Sequence, residues 1–341
     1  MAKNRAAWIM SSKSKPFLVD QAPLYRPGRG EILIRNHVVA VNPVDWKIQD
    51  SGRYLSTYPF ILGRDTAGIV EDVGEGVTRF LKGQRVIAHL HSPRSGNSAH
   101  AAYQVFSLAS EKLSAHIPSH ITFEQGAVLP LAISTAAAGL YLPEYLGLPL
   151  PLTVPKPTAG VVLIWGGSSS VGATAIQLAV ASGLHVIATA SSSNHAFVKS
   201  LGAHDMFDYT SPTAVQSVLA ILKTSKLVGV YDAIGNEKST ASLVAITGNI
   251  IRPVPAVAVH PCEHPTATFN PKSISSYGIV YSPNEAIGAA VWEHFVPVAL
   301  ESGQLQAKPD PVVIGHGLES IQYGLEVQKA GVSAKKIVVT L

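Results

Sequence analysis

The feature that most constrains the fold is a three-part stretch in mid-chain. Val161-Val162-Leu163-Ile164-Trp165 is an unbroken apolar run of strand length, Gly166-Gly167-Ser168-Ser169-Ser170-Val171-Gly172 is a turn of small residues, and Ala173-Thr174-Ala175-Ile176-Gln177-Leu178-Ala179 opens a helix. A strand with no polar face has to be covered on both sides, which argues for a parallel sheet between layers of helices. Small residues let a bound group approach the backbone, and the N–H groups and dipole of a helix start favour negative charge, as a dinucleotide pyrophosphate requires. The same turn also serves as a plain strand-to-helix connection with no ligand, so its surroundings have to decide.

The next strand-like stretch, residues 185–190, ends without the carboxylate that would bind the ribose hydroxyls of NADH. Ser191, Ser192, Ser193 and Asn194 follow instead, with Lys199 in the next helical stretch and Tyr209 beyond the third strand. Hydroxyls and an ammonium accept a 2′-phosphate that a carboxylate would repel, so NADPH is favoured. Ser191 to Asn194 would also cap the helix after them, and a lone lysine such as Lys199 more often meets only solvent.

Around this block the pattern differs. Residues 6–10, 31–40, 68–73 and 85–88 read as short strands separated by Gly and Pro, and residues 336–341 have the same character. The middle alternates strands with helical stretches at 171–182 and 195–201. The expected architecture is therefore α/β: a β-rich domain from residues 1–130 with 285–341, and a doubly wound parallel-sheet domain from 131–284. Residues 142–157, rich in proline, are expected to be irregular, and 249–251 reads as strand.

Composition narrows the function. A chain of 341 residues that is 47% apolar and 14% charged supports two cores rather than disorder. The net charge of +4 is spread over single basic residues, so no nucleic-acid partner is expected. The lone cysteine, Cys262, permits neither an internal disulfide nor a four-thiolate zinc site. The start lacks an apolar leader and no run reaches the roughly 18 to 20 apolar residues of a membrane span, so a cytoplasmic protein without a membrane partner is expected.

Two further stretches complete a resemblance: Asn42-Pro43-Val44-Asp45-Trp46-Lys47, and Gly63-Arg64-Asp65-Thr66-Ala67-Gly68-Ile69-Val70 continuing to Val73-Gly74 and Gly83-Gln84-Arg85-Val86. With the glycine turn, they make the chain resemble the medium-chain dehydrogenase/reductase superfamily over essentially its whole length. That resemblance implies a GroES-like β-rich catalytic domain and a Rossmann domain for NADPH. Zinc-dependent members carry a cysteine and a histidine where this sequence has Asn42 and Arg64. An amide and a guanidinium are poor zinc ligands, so no metal is expected. Neither His89, His91 and His100 nor the run from His260 to His264 has a recognised ligand spacing.

Among zinc-free branches the chain resembles quinone and enoyl reductases, and especially the trans-acting enoyl reductases of fungal polyketide synthases. The cues are the Asn42 to Lys47 stretch, Leu129-Pro130-Leu131-Ala132-Ile133-Ser134-Thr135-Ala136, Ser191 to Asn194, and Gly331-Val332-Ser333-Ala334-Lys335-Lys336. Without a metal, the fitting reaction is hydride addition to an alkene conjugated to a carbonyl, which needs an oxyanion donor and a proton source. The resemblance implies Lys47 and Thr135 at the reacting atoms, with Tyr54 a further candidate acid. It also implies Val44, Asp45, Trp46, Val254, Pro255, Val332 and Ser333 beside the cofactor, and Ala136, Ala137, Ala138, Gly139, Leu140, Tyr141, Leu142 and Pro143 along the substrate cleft. Each has a plainer reading: a surface charge for Lys47, a cap for Thr135, packing for Tyr54, and close helix packing for the small residues.

The implied substrate is an enoyl group on a small molecule or an acyl carrier, with a polyketide synthase as partner and the chain a monomer or homodimer. The alternatives are a free-standing NADPH quinone or alkenal reductase, and a non-catalytic NADPH-binding sensor or partner subunit.

Overall fold

The computed structural model describes residues 3–341 and divides into two compact units. One runs to Leu131 and resumes at Ala307–Leu341; the other is Ala132–Gln306.

The first unit opens with β1 (Asn4–Ile9), β2 (Leu18–Ala22), β3 (Glu31–Ala40), α1 (Pro43–Ser51), β4 (Phe60–Ile61), β5 (Asp65–Val73) and β6 (Arg85–His89). It continues through α2 (Ser92–Ser95), β7 (Phe106–Ser110), β8 (Ser114–His116) and α3 (Phe123–Ala127). Helix α4 (Pro130–Tyr141) begins at its end. The second unit carries β9 (Gly160–Trp165), α5 (Ser170–Ala181), β10 (His185–Thr189), α6 (His195–Ser200), β11 (Asp205–Phe207), α7 (Ala214–Leu222) and β12 (Lys226–Asp232). It is completed by α8 (Glu237–Thr247), β13 (Ala256–Ala258), β14 (Lys272–Ser273), α9 (Glu285–Gly288) and α10 (Val296–Ser302). The chain then returns to the first unit with β15 (Asp310–His316), α11 (Ile321–Ala330) and β16 (Lys335–Thr340).

Strand β3 organises the first unit. It pairs with β5 along one edge, and with β7 and β16 on the other, in a seven-stranded sheet. Its residues are mostly buried, and Ile32, Ile34 and Val39 join a core that also takes Ile9, Ile48, Phe60, Tyr103, Leu325 and Val339. Strands β2, β1 and β4 form a second, small sheet.

The second unit holds a six-stranded, all-parallel sheet in the order β11-β10-β9-β12-β13-β14. Every residue of β9 is buried, as its unbroken apolar run predicts. The strand order reverses between β9 and β12, so the crevice outside their carboxyl ends is where an open parallel sheet takes its ligand. Helix α5 is apolar almost all round and nearly wholly buried, and Ser169 caps it by accepting the Gly172 N–H at 3.0 Å.

Two expectations are corrected. Residues 249–251 are not a strand: they unwind the end of α8, with Asn249 and Ile250 donating N–H groups to Ile246 and Thr247, and Ile251 is fully exposed. The return to the first unit comes at Ala307 rather than residue 285. Residues 285–302 form one helical run that buries Val291, Trp292, Phe295, Val296, Ala299 and Leu300, and the Trp292 indole donates to the Ser134 hydroxyl at 3.1 Å within the second unit. The run passes through a π-helical segment, Ala289–Phe295, just before Pro297, whose ring supplies no N–H to continue the α-helical ladder. Among the described residues no helix is long and apolar enough to cross a membrane.

Candidate functional site

The glycine turn lies at the carboxyl end of β9. Gly166 has a φ of +83°, and a Cβ there would stand 2.4 Å from the Ile234 side chain. A Cβ on Gly172 would stand 2.2 Å from the Gly166 carbonyl oxygen, so the first turn of α5 can lie on the loop only without a side chain. The Gly166 and Gly167 N–H groups are spent on the Thr189 hydroxyl and carbonyl of β10, at 3.0 and 2.7 Å. Ser168, Ser169, Ser170 and Val171 are partly exposed. The N–H groups of Ser170 and Val171, in the first helical turn, are not used by the helix itself and face the end where its dipole is positive.

The carboxyl ends of β10 and β11 bring Ser191 to Asn194 and Tyr209 to the same edge of the sheet. Ser191 Oγ lies 3.2 Å from Ser193 Oγ and accepts from the Asn194 amide at 3.0 Å. The second strand of the sheet, β10, ends without a carboxylate, but the third supplies one: Asp208 accepts the Ser192 N–H at 3.0 Å. Tyr209 is about half exposed, and Lys199 is exposed near the far end of the short helix α6.

The structure puts Val254 and Pro255 elsewhere. They enter β13 from its amino end, where Val254 packs on the sheet core and the Pro255 carbonyl accepts the Val230 N–H at 3.0 Å. In the parallel register Ala258 and Trp165 both pair with Asp232, so Val259 and His260, not Val254 and Pro255, lie level with the glycine turn. Val259 and His260 stand five residues beyond the expected pair, because 249–251 is not the strand that expectation counted from. The loop after β12 was also missed. Asp232 is buried and accepts the Ile234 and Gly235 N–H groups at 3.0 and 2.9 Å and the Ser239 hydroxyl at 2.7 Å. Burial pushes its carboxyl up, and these donors oppose that. The signal was an aspartate closing an apolar run and followed by Ala233-Ile234-Gly235.

Helix α4 carries Thr135, which is partly exposed and whose backbone carbonyl accepts the Tyr231 hydroxyl at 2.9 Å. Ala136, Ala137, Ala138, Gly139, Leu140, Tyr141 and Leu142 are buried, and Pro143 alone of the expected lining is exposed. A Cβ on Gly139 would stand 2.4 Å from the Tyr231 ring, so the small residue serves close packing.

In the first unit, Asn42 caps α1 at the edge of a buried polar cluster. The Asn42 amide donates to Asp65 at 2.8 Å, the Leu131 N–H donates to Asp65 at 2.6 Å, and the Lys336 ammonium donates to the Asn42 amide oxygen while lying 3.2 Å from Asp65. Asn42, Asp65 and Lys336 are all buried. Asp45 accepts the Asn42 N–H and the Tyr103 hydroxyl, each at 2.9 Å. Burial, partly offset by the Arg64 guanidinium and these hydrogen bonds, pushes its carboxyl up to about 6.

One turn on, Lys47 is half-buried with its ammonium 5.6 Å from the Trp46 ring centre, and burial lowers its pKa. Val44 and Trp46 are partly exposed, and Trp46 donates to Gln328 of α11. Val332 and Ser333 are exposed in the link from α11 to β16. Tyr54 is 75% exposed in a loop, with a φ of +70°.

The histidines have other partners. The His91 and His100 rings stack at 4.5 Å, and His100 also meets Glu31 at 2.7 Å and Ser95 at 2.9 Å. Glu237, Glu263 and His264 bring ligand atoms within 4.8 Å of one another, but all three are exposed and Glu237 opens α8, whose positive dipole end opposes a cation.

Comparison with known proteins gives matches to the alcohol dehydrogenase GroES-like domain over residues 28–132 and to the zinc-binding dehydrogenase family over residues 170–251. A trans-enoyl reductase of Aspergillus japonicus is 40% identical over 340 residues, covering 99% of this chain and 97% of that one. A dehydrogenase of Monascus ruber is 40% identical over 370 residues, covering all of both chains. Among solved structures, an alcohol dehydrogenase superfamily protein from Novosphingobium aromaticivorans matches with a TM-score of 0.79 at 23% identity, covering 99% of each chain. The CurK enoyl reductase matches at 0.73 and 19% identity, again covering 99% of each. A mycobacterial protein complexed with NADPH matches at 0.72 and 23% identity, over 99% of this chain and 100% of that one.

Proposed function

From a chain that belongs to the medium-chain dehydrogenase/reductase superfamily of oxidoreductases, we infer an NADPH-dependent enoyl reductase that saturates a carbon–carbon double bond conjugated to a carbonyl. The observation that carries this reading is the 40% identity, across nearly the whole of both chains, with a trans-enoyl reductase. By the same likeness the substrate is an enoyl thioester presented by a polyketide synthase. The single cysteine supports a cytoplasmic enzyme.

The residues present fit the cofactor. The glycines at 166 and 172 let the turn fold tightly against Ile234 and the first turn of α5, which leaves the helix start at the carboxyl end of β9. Ser170 and Val171 would bind the pyrophosphate through their N–H groups, and Ser191 and Ser193 would receive the 2′-phosphate. The residues do not fit a zinc ion. The Asn42 amide oxygen is committed to the Lys336 ammonium, a positive charge that takes this oxygen's lone pair and would repel a metal ion beside it. This supports a reaction without a metal.

When bound, NADPH supplies a hydride to the β-carbon of the enoyl group. The chain then has to stabilise the enolate oxygen and deliver a proton to the α-carbon. Thr135 offers a hydroxyl donor for the oxygen. Lys47 holds its proton less tightly than a surface lysine because it is half-buried, which suits a group that stabilises charge and gives up a proton. NADPH consumption with enoyl thioesters, free enones and quinones tests the reading. The expected result is turnover of thioesters that Lys47→Ala and Thr135→Ala each lower at least about tenfold in kcat, the loss that follows removal of one donor aimed at the developing charge. Preference for quinones would replace the enoyl reading with a quinone reductase, and no turnover of any substrate would leave a non-catalytic NADPH-binding protein.

A further inference from the structure

Asp208 is a carboxylate just past the carboxyl end of the outermost strand, β11, beside the loop that follows β10, and the reaction does not use it. One of its oxygens accepts the Ser192 N–H at 3.0 Å, and the other accepts the Thr210 N–H at 2.8 Å and the Thr210 hydroxyl at 2.7 Å. These hydrogen bonds, the Thr210 hydroxyl first, hold its carboxyl down to about 2, so it is charged at neutral pH. The loop it grips is closed on itself by the Asn194 N–H, which donates to the Ser191 carbonyl at 2.8 Å, and the Ser191 and Ser193 hydroxyls meet within it at 3.2 Å.

We propose that Asp208 is a specificity-determining residue of the cofactor site: its hydrogen bonds fix the turn that presents the Ser191 and Ser193 hydroxyls, and its charge limits the preference for a 2′-phosphorylated nucleotide over an unphosphorylated one. The proposal rests on the NADPH reading above. The two effects separate chemically, because holding an N–H needs only an oxygen acceptor, whereas repelling a phosphate needs the negative charge. A phosphate on this loop meets that charge through screened solvent, which weakens its binding by about threefold, while a nucleotide with free ribose hydroxyls is spared.

The test is calorimetric titration of the full chain with 2′,5′-ADP and with 5′-AMP, for the wild type, Asp208→Asn and Asp208→Ala. Asp208→Asn should bind 2′,5′-ADP about threefold more tightly and 5′-AMP unchanged, with the gain shrinking as salt is raised. Asp208→Ala, which also releases the Ser192 N–H, should bind 2′,5′-ADP less tightly than Asp208→Asn. If the wild type prefers 2′,5′-ADP and Asp208→Asn leaves the ratio of the two affinities unaltered, whether both shift together or neither does, the proposal is overturned alone. If the wild type holds 5′-AMP as tightly as 2′,5′-ADP, the NADPH reading falls and the proposal with it.

Discussion

Replacing Lys336 by Met tests the buried cluster of the first unit. The ammonium and the Asp65 carboxylate lie 3.2 Å apart with side-chain exposures of 5% and 0%, so removing the cation strands a negative charge away from water. Breaking a buried pair from one side costs about 3 to 5 kcal/mol. Asp65 keeps the Asn42 amide and the Leu131 N–H as donors, at 2.8 and 2.6 Å, which places the cost at the low end, about 3 kcal/mol. For a domain of this size that lowers Tm by about 6 to 12 °C. Adding Asp65→Asn removes the stranded charge and leaves an amide oxygen for one of the two donors, so the double variant should recover about 1 to 2 kcal/mol relative to Lys336→Met alone. Urea unfolding followed by circular dichroism measures all four corners of the cycle. A Lys336→Met variant within about 0.5 kcal/mol of wild type, or a double variant no more stable than Lys336→Met, would refute the picture of a charge pair held out of solvent.

Asp45, pushed up to about 6 mainly by burial, binds its proton more tightly folded than unfolded. Its contribution to stability therefore rises by about 2 kcal/mol as pH falls from about 6 to about 4, and Asp45→Asn should flatten that slope in pH-dependent unfolding; an unchanged slope counts against the assignment. Gly172→Ala puts a methyl 2.2 Å from the Gly166 carbonyl oxygen, a backbone atom that cannot swing away, so at least about 1 to 3 kcal/mol of stability should be lost. NADPH binding, followed by fluorescence titration, should weaken at least about tenfold, and wild-type affinity would show that the loop and helix can part without harm.

The parts of the fold that were legible in the sequence are those where a local pattern has one solution. The apolar run that became β9, the small-residue turn and the long stretch that became β3 each carry their period and boundaries in consecutive residues. The readings that failed needed tertiary information. The small residues 136–139 suit a ligand and a neighbouring ring equally well, and only the position of Tyr231 shows that the ring takes the space at Gly139. Asn249 to Ile251 looks like a strand because asparagine and isoleucine do not announce a fraying helix end, and that error carried Val254 and Pro255 with it. Residues 285–306 join the second unit through Trp292 and Ser134, which are 158 positions apart. Asp208 reaches Ser192 across the pairing of two strands, and Lys336 reaches Asn42 across 294 positions, distances at which the chain leaves no local signal.

The place of β16 in the first sheet has a consequence for the order of events during synthesis. The strand sits between β15 and β3, yet it follows every other strand of both units in the chain. Every strand of the second unit is already out of the ribosome by then, so that unit can fold from contiguous chain while the first waits with part of the β3 edge unpaired. Until residues 335–340 arrive, Asp65 also lacks its ammonium partner. The pairing of β16 with β3 and the neutralisation of Asp65 then come in the same step, which makes this strand the point at which a truncated or stalled chain would be exposed to misfolding.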